Sequence, residues 1–196
     1  MKIYGLTGQT GAGKSTVAAL LSKKGFFVID GDKVARRVTE KGSPALAELS
    51  EVFGKDIVLF DGTLDRKKLA SRAFASKEGT KTLNEITHPY IHALFEREIE
   101  KAEKNGFSRC LIDAAALLES PSKNLCEKII VVFCPEKIRL ERILKRDNIS
   151  KEEALKRIHA QKEDEYYLEA ADIIIKNFPP HDIEKEVENF LKGECM

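Results

Sequence analysis

No run of apolar residues in this chain approaches the roughly 20 needed to cross a bilayer. Its first residues pass straight into a strand-like segment, without the basic, apolar and small-residue order of a secretory leader. Both absences favour a cytoplasmic protein with no membrane partner. An excess of one charge is missing too: 33 Lys and Arg face 32 Asp and Glu, for a net charge of +1. No global field directs the chain to nucleic acid or to an anionic surface. The four cysteines, Cys110, Cys126, Cys134 and Cys195, fit neither a zinc-ligand spacing nor a Cys-x-x-Cys redox pair. Cys110 and Cys134 fall in apolar strand-like runs, where a buried thiol in a reducing compartment is expected. No internal repeat, low-complexity tract or linker divides the 196 residues. One domain with a full core, existing as a monomer or weak homo-oligomer, is the expectation.

What is present begins near the N-terminus with Gly8-Gln9-Thr10-Gly11-Ala12-Gly13-Lys14-Ser15, followed by Thr16. This fits G-x-x-x-x-G-K-[ST] at every fixed position. The glycines let successive backbone N–H groups point into one hollow that holds the phosphates of a nucleotide. Lys14 reaches the β- and γ-phosphates in such a loop, and the Ser15 hydroxyl suits Mg²⁺. The context is right. An apolar strand-like run, residues 2–7, precedes the loop, and Val17, Leu20 and Leu21 behind it share one helix face. A helix starting near Gly13 adds its positive end to the anion site.

Five short, mostly continuous apolar runs read as strands: residues 2–7, 26–30, 109–113, 128–134 and 172–176. Helical texture between them predicts an α/β fold, a parallel sheet with helices on both faces. Polar residues gather at the carboxyl ends of these runs, the edge where open α/β sheets bind ligands. Between the second and third runs lie about eighty residues, far more than one crossover needs. A helical lobe over about 36–105 follows, with Ser43-Pro44 opening one helix, Asp61-Gly62 forming a turn and His88-Pro89 opening a further helix.

Several residues admit both a chemical and a structural role. Asp30 and Asp32 flank Gly31, and strand alternation sends their carboxylates to opposite sides. Either can orient or take the proton of an attacking hydroxyl, or cap a helix beginning near Lys33. Asp113 ends a strand, where an acidic residue holds the water shell of Mg²⁺ or caps a turn. Arg139, Arg142 and Arg146 recur at i, i+3 and i+7 of a helix over 136–147, bordering the apolar stripe of Leu140, Ile143 and Leu144. They are lid arginines aimed at a phosphoryl group or a solvated basic face. Asn148-Ile149-Ser150 breaks that helix, and Ser150 with Glu153 forms a capping box for the next, where Arg157 and Gln161 stand one turn apart. A hinged lid over about 139–165 would exclude water from the reaction. His88 binds substrate or packs at a helix start. His92, His159 and His181 make no metal pattern. The Asn-Lys-x-Asp sequence that reads guanine in nucleotide switches is lacking.

Taken in order along nearly the whole chain, these residues resemble the dephospho-coenzyme A kinase family. The likeness runs through Gly5-Leu6-Thr7-Gly8, Val28-Ile29-Asp30-Gly31-Asp32, Gly62-Thr63-Leu64-Asp65-Arg66, Leu83-Asn84, His88-Pro89, Leu117-Leu118-Glu119, Arg142, Arg146, Gln161 and Asn177. The resemblance implies a nucleoside-monophosphate-kinase-like P-loop fold with core, helical acceptor lobe and lid. It implies transfer of the γ-phosphoryl group of ATP to the ribose 3′-hydroxyl of dephospho-coenzyme A, with Mg²⁺. Carried over by position, Asp32 is the general base on the acceptor side. Gly11, Ala12, Gly13, Lys14, Ser15, Thr16, Arg142 and Arg146 bind the ATP phosphates, with Lys14 and Arg142 acting in catalysis. Ser15 binds Mg²⁺, with Asp32 or Asp113 through water. Asn177 lies near the adenine of ATP, and His88 and Arg66 near the acceptor. The chain departs from the family at Ala115-Ala116, where a proline is common, at Leu118, where a phenylalanine is common, at Arg139, where glutamine is common, and at Gly31, where alanine is common.

Overall fold

The computed structural model describes residues 1–194, so Cys195 lies outside the described residues. The strands are β1 (Lys2–Thr7), β2 (Phe27–Asp30), β3 (Arg109–Asp113), β4 (Lys128–Phe133) and β5 (Ile173–Lys176). The helices are α1 (Lys14–Lys23), α2 (Gly31–Val38), α3 (Pro44–Phe53), α4 (Arg66–Ala73), α5 (Lys77–Lys104), α6 (Glu136–Asp147), α7 (Lys151–His159), α8 (Asp164–Glu169) and α9 (Ile183–Gly193). Contacts gather into two compact units: Asp30–Lys101 forms one, and Met1–Ile29 with the chain from Ala102 onward forms the other. No helix among the described residues is long and apolar enough to cross a membrane.

The strands make one parallel sheet in the order β2-β3-β1-β4-β5. Four successive residues are buried in both β1 and β4. Side chains alternate across a strand, so both faces of the sheet are covered, and the strands read as apolar runs rather than alternating ones. On one face Tyr4, Leu6, Leu111, Ile130, Val132 and Ile175 pack against Val17 and Leu21 of α1 and Val187 of α9. Truncating one of these buried aliphatic side chains to alanine costs about 2–5 kcal/mol. The register pairs Leu6 with Asp113, Thr7 with Val131 and Phe133 with Lys176. The carboxyl ends of β1, β3, β4 and β5 therefore share one edge, and the order reverses at β1, where such sheets bind ligands.

In the second unit the starts of α2, α3 and α4 each have a chemical cause. Asp30 accepts a hydrogen bond from the Lys33 amide at 3.0 Å, Ser43 from Leu46 at 3.2 Å and Asp65 from Lys68 at 3.0 Å. The Asp61 carboxylate closes the Asp61-Gly62 turn by accepting from the Thr63 amide at 2.9 Å. Leu49, Ile57, Leu69 and Ala73 form the unit's core, with Phe53, Leu64, Leu83 and Ile86 against it.

Two expectations give way. His88-Pro89 does not open a helix, because α5 runs through Pro89 without ending. Proline removes one backbone donor there, and the segment before it, anchored by Leu83 and Ile86, is already helical and packed. Strand alternation does not separate Asp30 from Asp32 either. The helix begins at Gly31, so Asp30 is its cap and Asp32 stands in its first turn.

Candidate functional site

Beyond β1 the chain turns through Gly11 at φ 80° and Gly13 at φ 99°, a left-handed backbone that glycine adopts without strain. A Cβ on Gly11 would come within 2.8 Å of the Arg139 carbonyl oxygen. Gly13 is also the N-cap of α1, and no side chain caps that helix. The amides of its first turn thus point into the loop and favour an anion. Lys14 and Ser15 are the first two residues of the helix, and the Lys14 ammonium pairs with the Asp113 carboxylate from the end of β3. Both side chains are largely withdrawn from water, so screening of the pair by solvent is weak.

Arg142 and Asn177 brace the outside of this loop. Nη1 of Arg142 donates to the carbonyls of Gly11 and Ala12, each at 3.3 Å, and Nη2 donates to the Asn177 carbonyl at 2.9 Å. Nδ2 of Asn177 donates to the Ala12 carbonyl at 2.7 Å. Turning these carbonyls outward leaves the amides facing inward. Burial pushes the nearby Cys134 thiol up, against the opposing pull of Arg142 and Arg139, so it stays protonated at neutral pH. Arg146 is placed differently. It is exposed and grips the Asp147 carboxylate at 2.7 Å, which Arg157 also holds at 2.9 Å. Arg146 first, then Arg157, keeps the Asp147 carboxyl below its ordinary value.

Asn148, left-handed at φ 51°, ends α6, and the Ser150–Glu153 capping box starts α7. Ile143, Ala154 and Ile158 hold the two helices together. Gln161 lies past the end of α7 rather than on it. Its Oε1 accepts from the Thr10 amide at 2.7 Å, and Gln9 Nε2 donates to the Lys162 carbonyl at 3.0 Å. This fastening of residues 161–162 to the phosphate loop was not read from the sequence. Neither was the burial of Arg139, which is only 2% exposed. Its Nε donates to the Cys134 carbonyl at 2.9 Å and its Nη2 to Asp164 at 3.2 Å, while Nη1 has no partner among the described residues. The departure from glutamine at this position was the available signal.

The helical unit holds a cavity of about 260 Å³ between α2, α4 and α5. Leu64, Leu69, Leu83 and Ile91 give it apolar walls, and Arg66, Asn84 and His88 add polar groups. Burial lowers the His88 pKa, so its imidazole is neutral at pH 7. Asp32 is exposed near the start of α2. Ala35 and Thr39 of the cavity wall stand three and seven residues beyond it, on the same helix face.

The family model for dephospho-CoA kinase matches residues 2–180. The chain belongs to the dephospho-CoA kinase family. The dephospho-CoA kinase of Enterococcus faecalis is 40% identical over 194 residues, covering 98% of this chain and 97% of its own length. That of Corynebacterium glutamicum is 43% identical over 173 residues, covering 88% and 86%. The solved dephospho-CoA kinase of Campylobacter jejuni superposes with a TM-score of 0.72 at 29% identity, covering the whole of both chains. A kinase of this family uses ATP as co-substrate and has an alcohol as acceptor, which accounts for a phosphate loop in this chain.

Proposed function

We propose a division of labour among this chain's residues for the reaction of the dephospho-CoA kinase family. The chain transfers the γ-phosphoryl group of ATP to the ribose 3′-hydroxyl of dephospho-coenzyme A, the last step of coenzyme A biosynthesis. The observation that carries the assignment is the uncapped start of α1 behind the positive-φ Gly11 and Gly13, with Lys14 beside Asp113.

The amides from Gly11 to Thr16 cradle the triphosphate. Lys14 exchanges Asp113 for the β- and γ-phosphates and neutralises charge that builds on the transferring group. Arg142 holds the loop in its binding form and adds positive charge beside it, and Arg146 adds more once released from Asp147. Asn177, at the edge of the loop, lies toward the adenine of ATP. Asp32 accepts the proton of the acceptor 3′-hydroxyl, whose oxygen attacks the γ-phosphorus. The bond from that phosphorus to the β–γ bridging oxygen breaks, and ADP leaves. Arg66 and His88 hold the acceptor.

Among the described residues no group of three His, Cys, Asp or Glu side chains could hold a metal ion. Mg²⁺ does not need one, since it takes one or two protein oxygens and completes its shell with water and phosphate. The Ser15 hydroxyl and the Asp113 carboxylate fit that donor set. When bound there, Mg²⁺ neutralises charge on the β- and γ-phosphates.

The test is ATP-dependent phosphorylation of dephospho-coenzyme A, with the product checked for a 3′-phosphate. Turnover on a nucleoside monophosphate but not on dephospho-coenzyme A would overturn the acceptor.

A further inference from the structure

Beside the phosphate loop lies a second cavity, of about 360 Å³, with Ala115, Ala116, Gln161, Lys162 and Tyr167 in its walls. Those walls are tied to the loop and its flanks. Thr7 Oγ1, at the end of β1, donates to the Ala115 carbonyl at 3.2 Å. Ala115 stands two residues past Asp113, the partner of Lys14. Gln161 accepts from the Thr10 amide at 2.7 Å, and the Lys162 carbonyl accepts from Gln9 at 3.0 Å. The buried Arg139 holds Asp164 of the same segment at 3.2 Å.

The bond to Thr10 orients the Gln161 carboxamide. A backbone N–H only donates, so the oxygen faces Thr10 and the nitrogen is the group left over. That nitrogen, Nε2, makes no hydrogen bond among the described residues. Gln161 is half-buried and lines the cavity, so a ligand can reach the donor. Holding the loop uses only the oxygen. A carboxamide that accepts a hydrogen bond is polarised by it and becomes a better donor at its nitrogen.

We propose that Gln161 is a further catalytic residue, whose Nε2 donates to an oxygen of the γ-phosphoryl group as it is transferred. The inference rests on the phosphate-loop reading of Gly11 to Thr16 and Lys14. Position selects the γ-phosphoryl group. The amides from Gly11 onward hold the triphosphate and Lys14 reaches its β- and γ-phosphates. Thr10 precedes those amides, and its own N–H is taken by Gln161. The outer end of the triphosphate therefore meets the carboxamide in place of that backbone donor. Glu119 and Lys162 bring one charge of each sign to the cavity walls, so neither sign dominates there. Gln161 gives up no proton. The bond from the γ-phosphorus to the bridging oxygen breaks, the bond to the acceptor oxygen forms, and Nε2 keeps its hydrogens throughout. A donor fixed in place before the reaction lowers the energy of the charge that spreads over the phosphoryl oxygens.

The experiment separates the oxygen of Gln161 from its nitrogen. Gln161→Glu keeps an oxygen for the Thr10 amide and replaces the donor with negative charge. At saturating ATP and dephospho-coenzyme A, kcat should fall by about 10³-fold, while ADP affinity, measured by calorimetric titration, stays within about twofold. Gln161→Ala loses both atoms. Its kcat should fall by about 10²-fold and its ADP affinity by less than about tenfold. ADP is the probe because it occupies the loop without a γ-phosphoryl group. A near-normal kcat in Gln161→Glu overturns the inference and leaves Gln161 as a brace for the loop. So does a loss of kcat in Gln161→Ala no larger than the loss of ADP affinity, a test that stands even where Gln161→Glu does not fold. Failure of the phosphate-loop reading looks different: wild-type protein that binds no ATP, or Lys14→Ala with unchanged turnover.

Discussion

Around the phosphate loop the polar side chains are already engaged: Lys14 with Asp113, Arg142 with three carbonyls, Asn177 with Ala12, and Gln161 with Thr10. In the helical unit Thr39, Arg66 and Thr87 are bonded to backbone carbonyls, but Asn84 and His88 are unengaged, Phe74 is bare and Asp32 is exposed. On the proposed assignment, the contrast follows from what each region binds. A triphosphate is recognised chiefly through backbone amides, which must be aimed before it arrives, and most side chains there serve to aim them. A nucleoside acceptor is recognised by side chains, which hold their hydrogen-bonding groups in reserve. Substitutions near the loop should therefore act through ATP, and those in the helical unit through the acceptor.

The largest effect is expected at Asp32. Asp32→Asn keeps the shape and removes the base, so kcat should fall by roughly two to four orders of magnitude with ATP affinity retained. Single-turnover kinetics together with ATP titration measures both, and a near-normal kcat would take the proton-accepting role away from Asp32. Next is Lys14→Ala, which removes a cation from the transferring phosphates and from beside Asp113. A loss of about 10²- to 10³-fold in kcat is expected, with KM for dephospho-coenzyme A nearly unchanged. A defect confined to the acceptor KM would erase the contrast between the two regions.

Much of this arrangement was legible in the sequence because it is local. The phosphate loop is a backbone device written in consecutive residues, and the five strands announce themselves as continuous apolar runs. Ser43-Pro44 and the Ser150–Glu153 box are capping chemistry within four residues. What escaped was set by tertiary contact. Nothing near Arg139 in sequence says that Asp164 and the Cys134 carbonyl will bury it. Pro89 carries a strong local signal for a helix start, yet the packing of Leu83 and Ile86 carries α5 past it. Asp30 and Asp32 looked alike until the helix began at Gly31 and made one of them the cap. The pairing of Lys14 with Asp113 spans 99 positions and depends on β1 lying beside β3.

A smaller effect is expected at Arg142, where Arg142→Lys keeps the charge but cannot bridge the carbonyls of Gly11, Ala12 and Asn177 together. KM for ATP should rise about tenfold, the usual weight of a lost hydrogen bond to a charged group, while KM for the acceptor stays within about twofold. Equal changes in both constants would mean that the brace serves the whole fold and not the loop.

The smallest effect concerns pH and separates the two regions without touching either substrate. Burial lowers the His88 pKa from its ordinary value of 6.5, so the unfolded chain takes up a proton there more readily than the folded one. Below pH 6.5 the unfolded state binds more protons, and stability falls as the pH drops through this window; above it the contribution is flat. His88→Gln removes the titration. Melting temperature followed between about pH 7.5 and 5 should therefore decline less steeply in His88→Gln than in wild type. Over the same range the wild-type kcat/KM for the acceptor should fall before that for ATP, since a charged imidazole in the cavity disfavours an apolar, uncharged ligand. Identical slopes in the two proteins would mean that His88 protonates freely in the folded chain, and would remove the cavity's reserve of neutral hydrogen-bonding groups from the comparison.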